Sequence, residues 1–247
     1  LKYICCWSGG KDSTASIILA HEHNIPLDLI LFSEVMYDNR RGISGENPLH
    51  MDFIRYVAKP MFESWGYEVV ILRGKTDYLD NFYSVVENPR KNIDNKGKYR
   101  GFPASKACSI KRDCKEKPIK EYLKALNEPY VQYVGICADE LERLESLHND
   151  GSKISILEEL GYTQKMSRGK CEEYGLLSPS YLFSKRGGCW FCPNAKLAEQ
   201  EYIYNTNPEL WKEFVKLESV PYLANPKWNV YGCSLKQIDE KLYWGNG

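Results

Sequence analysis

Apolar and polar positions fall in blocks along this chain, and the blocks change rhythm repeatedly. An apolar run over residues 3–7 gives way to Ser8, two glycines and a charged pair, and an apolar-periodic segment over 15–23 follows, ended by Asn24 and Pro26. That order predicts a strand, a tight loop and a helix. Residues 27–32 predict a second, buried strand. Over 48–65 the apolar positions Leu49, Phe53, Tyr56, Val57 and Met61 keep a helical period that Gly66 closes. A third strand over 68–72, a short helix over 78–86, a mostly helical stretch over 108–126 broken at Pro118, a fourth strand over 130–135 and a short strand within 152–157 complete the alternation. Strands separated by crossover-length segments predict an α/β fold with a doubly wound parallel sheet. The division expected is a nucleotide-binding α/β domain over 1–160 and a cysteine-bearing, helical region over 161–247.

The loop after the first strand carries the first chemistry. In Ser8-Gly9-Gly10-Lys11-Asp12-Ser13-Thr14 the glycines allow a tight turn with bare N–H groups, and the next helix adds its positive dipole end. A phosphate fits such a place, and the hydroxyls of Ser8, Ser13 and Thr14 add donors. The spacing is not that of a Walker loop. In an open parallel sheet, ligands sit beyond the carboxyl ends of the strands, which makes the end of the second strand a place for an adenine ring. Gly135, after the fourth strand, permits close approach of a ligand, and Asp139, Glu140 and Arg143 bring charge to the same sheet edge.

Composition narrows this without redirecting it. The 247 residues suffice for a large core, and 33 Lys and Arg balance 33 Asp and Glu, so net charge argues for neither a nucleic-acid nor a membrane partner. No apolar run approaches the ~20 residues of a membrane span, and no secretion signal is read, so a cytoplasmic location is expected. A polar loop over 87–107, with Arg90, Lys91, Lys96, Lys98, Arg100 and Lys106, reads either as a lid whose cations meet phosphate or nucleic acid, or as a solvated loop. His50, in a helical first turn, reads as a surface or capping residue, with the nucleotide as the alternative.

Nine cysteines without a secretion signal do not read as a disulfide framework. Cys5 and Cys6 fit a core strand. Cys189-Trp190-Phe191-Cys192-Pro193 places two thiols two residues apart after a pair of glycines, half of a metal site. Cys108, Cys114 and Cys171 are candidates for the rest. Without a metal, Cys189 and Cys192 would be a redox dithiol or simply buried.

The string Ser-Gly-Gly-Lys-Asp-Ser resembles the PP-loop of the ATP pyrophosphatases, in the branch of phosphoadenosine phosphosulfate (PAPS) reductase-like proteins. Cys-x-x-Tyr-Gly-Leu-Leu-Ser-Pro-x-Tyr over 171–181 and Arg-Gly-Gly-Cys-Trp-Phe-Cys-Pro-Asn over 186–194 resemble a subgroup of that family often associated with bacterial mobile elements. The resemblance implies an adenine nucleotide alpha hydrolase-like, Rossmann-like fold. It implies ATP with Mg²⁺, cleaved between the α and β phosphates to activate a second substrate that the sequence does not name. The nucleotide would be bound by Ser8, Gly9, Gly10, Lys11, Asp12, Ser13 and Thr14, by the strand end at Phe32 and Ser33, and by Gly135. Lys11 and Asp12 would serve the phosphates and the metal ion, while Lys111 and Arg143 would clamp a phosphate or sulfate. Cys108, Cys171, Cys189 and Cys192 would hold a [4Fe–4S] cluster, with Zn²⁺ as the alternative metal and Cys114 in reserve.

Two departures matter. Glu34 stands where relatives often have an Asp-Thr-Gly-like turn, and the adjacent Cys-Cys pair of adenylyl-sulfate reductases is missing before Lys115. A second reading is sulfonucleotide reduction, acting on PAPS or adenylyl sulfate, which needs a nucleophilic thiol near the tail. Only Cys233 is available there, in surroundings unlike those of PAPS reductases. A third is a nucleotide-binding subunit of a nucleic-acid modification or defence system.

Overall fold

The computed structural model describes residues 1–89, 91–105, 107–184, 187–228 and 233–245, with 244 and 245 described by backbone alone. Arg90 and Lys106 of the basic loop, Lys185 and Arg186 before the cysteine pair, and 229–232 before Cys233 lie outside the described residues. The strands are β1 Lys2–Trp7, β2 Leu29–Glu34, β3 Met36–Asp38, β4 Ile43–Ser44, β5 Glu68–Arg73, β6 Tyr99–Gly101, β7 Tyr130–Tyr133, β8 Lys153–Ile154 and β9 Leu223–Asn225. The helices are α1 Lys11–Glu22, α2 Pro48–Phe53, α3 Lys59–Ser64, α4 Tyr78–Tyr83, α5 Lys117–Ala125, α6 Leu141–Asp150, α7 Ile156–Glu159, α8 Gln164–Glu173, α9 Leu197–Thr206, α10 Pro208–Lys216 and α11 Leu235–Gly245.

Two compact units form, and both are discontinuous in sequence. The first comprises Leu1–Glu34, Pro48–Leu72 and Ile119–Gly187. It holds a five-stranded sheet in the order β5-β2-β1-β7-β8, in which β1 pairs parallel with β2 and β7, and β7 with β8. Side chains alternate between the two faces of a strand, so Ile4, Leu29 and Leu31 turn to one side and pack with Leu123 of α5. Cys5, Trp7, Ile30 and Phe32 turn to the other, where they join Ile17, Ile18 and Leu19 of α1 and Phe62 of α3. Helices on both faces make this the doubly wound α/β fold expected. From β1 the chain moves outward to β2 and β5, then returns to β7 and β8 on the other side. The switch point therefore lies between β1 and β7.

The second unit comprises Val35–Asn47, Arg73–Pro118 and Gly188–Gly247. These units do not follow the division expected at 160. Segments early in the chain carry Tyr37, Tyr78, Phe82 and Phe102, which share one apolar core with Trp190, Phe191, Phe214 and Trp228. Aromatic residues bury large areas, and these bind the early segments to the C-terminal helices. The tail aromatics Trp211, Phe214 and Trp228 are core residues. Two small sheets complete the unit, β3 antiparallel to β4 and β6 parallel to β9. A strand therefore lies inside the segment read as a loop over 87–107.

Two local departures have backbone causes. Pro118 does not break its helix. It stands at the second position of α5, which continues from a π-helical stretch, Lys111–Glu116. Proline lacks an N–H and cannot donate into the preceding turn, and its place is the junction where the π-helical stretch gives way to the α-helix. Residues 152–157 yield the short β8 and then α7, which Ser155 caps by accepting from the Glu158 N–H. Among the described residues no helix is long and apolar enough to cross a membrane.

Candidate functional site

The first unit gathers its chemistry at the switch point, on the loop between β1 and α1. Gly9 has φ +73°, and a Cβ there would lie 2.6 Å from the His50 ring. A Cβ on Gly135, just beyond β7, would lie 2.5 Å from the backbone nitrogen of Ser13. Of two glycines beyond neighbouring strand ends, Gly135 is therefore pressed against the N-terminus of α1 and Gly9 against the His50 ring, and a larger residue at either would have to move its neighbour.

Hydroxyls fix the turn from within. The Ser8 N–H donates to Ser13 Oγ (3.1 Å), the two serine hydroxyls pair at 3.1 Å, and the Gly10 N–H donates to Ser8 Oγ (3.3 Å). Thr14 is fully buried and accepts from the Trp7 indole at 2.9 Å, which anchors α1 to β1. Its oxygen is engaged in the core rather than presented to the loop. The ammonium of Lys11 meets Asp12 at 2.5 Å and Gln164 at 3.5 Å. At the end of β2, Phe32 is buried with its ring edge-on to Trp7, and Ser33 is fully buried, its hydroxyl without a hydrogen-bond partner among the described residues. Beside it, buried Glu34 holds Arg55 at 2.8 Å.

His50 is neither a surface nor a capping residue. It is fully buried, with Nδ1 2.8 Å from Ser178 Oγ and Nε2 3.2 Å from the Ser8 carbonyl, and it fills the space left by Gly9 and Gly187. Its position in a helix that follows the second strand's end was the available signal. Asp12, Cys137 and Glu140 form a second group, whose ligand atoms lie within 4.8 Å of one another. The Cys137 thiol donates to Asp12 Oδ1 at 3.1 Å, and its N–H donates to Glu140 at 2.9 Å. Arg143 pairs with Glu140 at 2.5 Å and is otherwise exposed.

Cys171 also belongs to this unit. It is buried where α8 packs on α1, and its thiol donates to the Lys11 carbonyl at 3.1 Å. The thiol read as a metal ligand thus has a partner within the first unit, whereas Cys108, Cys189 and Cys192 belong to the second. Burial, then the neighbouring Asp12, pushes the Cys171 thiol up to about 12, and burial with the Asp12 contact does the same to Cys137. The folded state therefore holds both protons more tightly than the unfolded chain, where a thiol titrates near ~8.5. Their stabilisation is complete below that pH and is lost as pH rises towards 12. Each thiol should cost about 1.4 kcal/mol per pH unit in that window. Urea melts at pH 7.5 and 9.5 measure this, and Cys137→Ser should show the shallower loss.

The second unit contains Cys108, Cys114, Cys189, Cys192 and Cys233. The turn from Cys189 to Cys192 is held on several sides. The Trp190 N–H donates to the Gly45 carbonyl (3.0 Å), the Trp190 indole to the Ser44 carbonyl (3.0 Å) and the Trp228 indole to the Phe191 carbonyl (2.9 Å). Gly45 is required because a Cβ would lie 2.7 Å from the Phe191 ring. Cys108 accepts the Lys111 N–H at 3.4 Å, a contact that suits a thiolate. Burial first, then Glu46, Cys192 and Cys108, pushes the Cys189 thiol well above its ordinary value. Such mutual repulsion is relieved by a bound cation.

The Tyr78 hydroxyl is fully buried and among the described residues has no hydrogen-bond partner, with Cys108 and Cys189 near it. An orphaned donor beside thiols fits a group with sulfur acceptors. Zinc–sulfur bonds of about 2.3 Å would hold four sulfurs roughly 3.8 Å apart. Among the described residues no three thiols lie mutually within 4.8 Å. Lys111, read as a phosphate clamp, is in this unit, exposed and 3.3 Å from Glu116.

No family model matches the chain. It is similar, at 25% identity over 85% of its length, to the uncharacterized protein MJ0973 of Methanocaldococcus jannaschii. The chain spans about half of that relative, covering 46% of it.

Proposed function

We propose that this chain is an adenine-nucleotide enzyme of the PP-loop type that carries a cysteine-ligated metal centre. The observation that carries the reading is the glycine loop at the switch point, where Gly135 is pressed on the N-terminus of α1 and Gly9 on the buried His50 ring. Backbone amides and a helix dipole so arranged favour a phosphate. The end of β2, with the unpartnered Ser33 hydroxyl, is the place for the base. Lys11 would neutralise phosphate charge, and Asp12 with Glu140 would orient Mg²⁺. ATP would be cleaved to AMP and pyrophosphate, activating an oxygen of a second substrate.

In the second unit, Cys108, Cys189 and Cys192 would hold the metal, with Cys114 as the fourth ligand because it lies in the same unit. Four thiolates suit zinc and an iron–sulfur cluster alike, and the resemblance to adenylyl-sulfate reductases favours the cluster. Calorimetry with ATP is the direct test. Lys11→Ala is expected to weaken ATP binding about tenfold or more. Binding that is absent in the parent protein, or unchanged in the variant, sinks the nucleotide reading.

Reduction is the second reading, favoured by one contact. Cys233 is half-buried, with the Lys241 ammonium 3.9 Å from its sulfur. Sulfite release from PAPS that disappears in Cys233→Ser would establish it.

A further inference from the structure

The turn Pro179–Leu182 carries a tyrosine with no assigned role onto the glycine loop. The N–H of Lys11, the first residue of α1, donates to the Tyr181 hydroxyl at 3.0 Å. The same oxygen lies 3.5 Å from where a Cβ on Gly10 would stand. Just before the turn, Ser178 is bonded to His50, whose other ring nitrogen meets the Ser8 carbonyl. One short segment thus grips the loop on both sides of its glycines.

Three features make this phenol more than a packing group. Its ring is half-buried and lies under the Arg168 guanidinium, 6.0 Å from the ring centroid, which fixes the ring and adds a cation at the loop. Burial raises its pKa, so the hydroxyl keeps its proton at neutral pH. Because the oxygen accepts from Lys11, the proton is left to donate outward, and among the described residues no acceptor takes it. A neutral donor, polarised by a helix N-terminus and aimed over a glycine, is the group an anionic oxygen would meet there.

We infer that Tyr181 is a phosphate-binding residue of this site, accepting from the Lys11 amide and donating to a phosphate oxygen of the nucleotide. This rests on the nucleotide reading above. The rival role has the opposite sign: a phenol oxygen standing in the phosphate's place would be a plug that the ligand must displace.

Tyr181→Phe keeps the ring over which Arg168 lies and removes only the oxygen. ATP, inorganic pyrophosphate and adenosine are titrated calorimetrically into the full chain and the variant, with thermal melts confirming that both are folded. The expected result is about a tenfold or greater loss for ATP and pyrophosphate and no change for adenosine. Unchanged phosphate affinity overturns the inference, and tighter binding does so in favour of a plug. Pyrophosphate binding that Tyr181→Phe weakens, in a protein that takes up neither ATP nor adenosine, keeps Tyr181 as a phosphate ligand and ends the nucleotide reading. Parent protein that binds none of the three overturns both.

Discussion

Gly135→Ala is expected to destabilise the first unit by about 2–3 kcal/mol, through overpacking against main chain, and to abolish anion binding at the loop. The added methyl would stand 2.5 Å from the Ser13 nitrogen and 2.8 Å from the Asp12 carbonyl carbon. Both are backbone atoms, so no side chain can swing aside. Relief requires α1 to move away from β7, and that carries the loop amides with it. Gly169→Ala is the control, because a Cβ there in α8 meets nothing within 4 Å and its backbone is helical. It should stabilise by up to about 1 kcal/mol. Chemical denaturation and pyrophosphate titration of the two variants separate the cases, and equal behaviour would show that the close approach at Gly135 is not what seats the loop.

The second large effect concerns the metal. Anaerobically purified protein is expected to contain about four irons per chain, and Cys108→Ser, Cys114→Ser or Cys189→Ser should each remove most of it. Cys171→Ser should leave iron unchanged. Its thiol already donates to the Lys11 carbonyl in a buried site, and a serine hydroxyl can make the same bond at a cost of about 1 kcal/mol or less in stability. Iron and sulfide analysis reads the outcome directly. Loss of iron in Cys171→Ser with retention in Cys114→Ser would reverse the assignment, and one zinc per chain would replace the cluster by a structural site.

The sheet was legible because its signals are local. Apolar runs of strand length, a glycine loop and helical periods each depend on neighbours within a turn or two, and they predict β1, α1, β2, β5 and β7 in order. The two glycines at the sheet edge were legible for the same reason, since a glycine straight after a buried strand marks a close approach. The cysteine pair was visible from its spacing. Which other cysteines share its unit was not, because thiols far apart in sequence are sorted by which core their elements join. Cys171 lies on a helix that packs on α1, while Cys114 lies on a segment whose apolar residues join the aromatic core of the second unit.

By itself the sequence determined the α/β alternation, the glycine loop at the head of α1 and the presence of a two-thiol turn. Only the tertiary structure decided that residues 35–47 and 73–118 join the C-terminal helices, that His50 is buried against the loop, and that Tyr181 meets the Lys11 amide from 170 positions away. The physical reason is the range of the interactions. Turn and strand preferences are set by backbone sterics over a few residues, whereas shared cores and hydrogen bonds between distant segments exist only once those segments have packed.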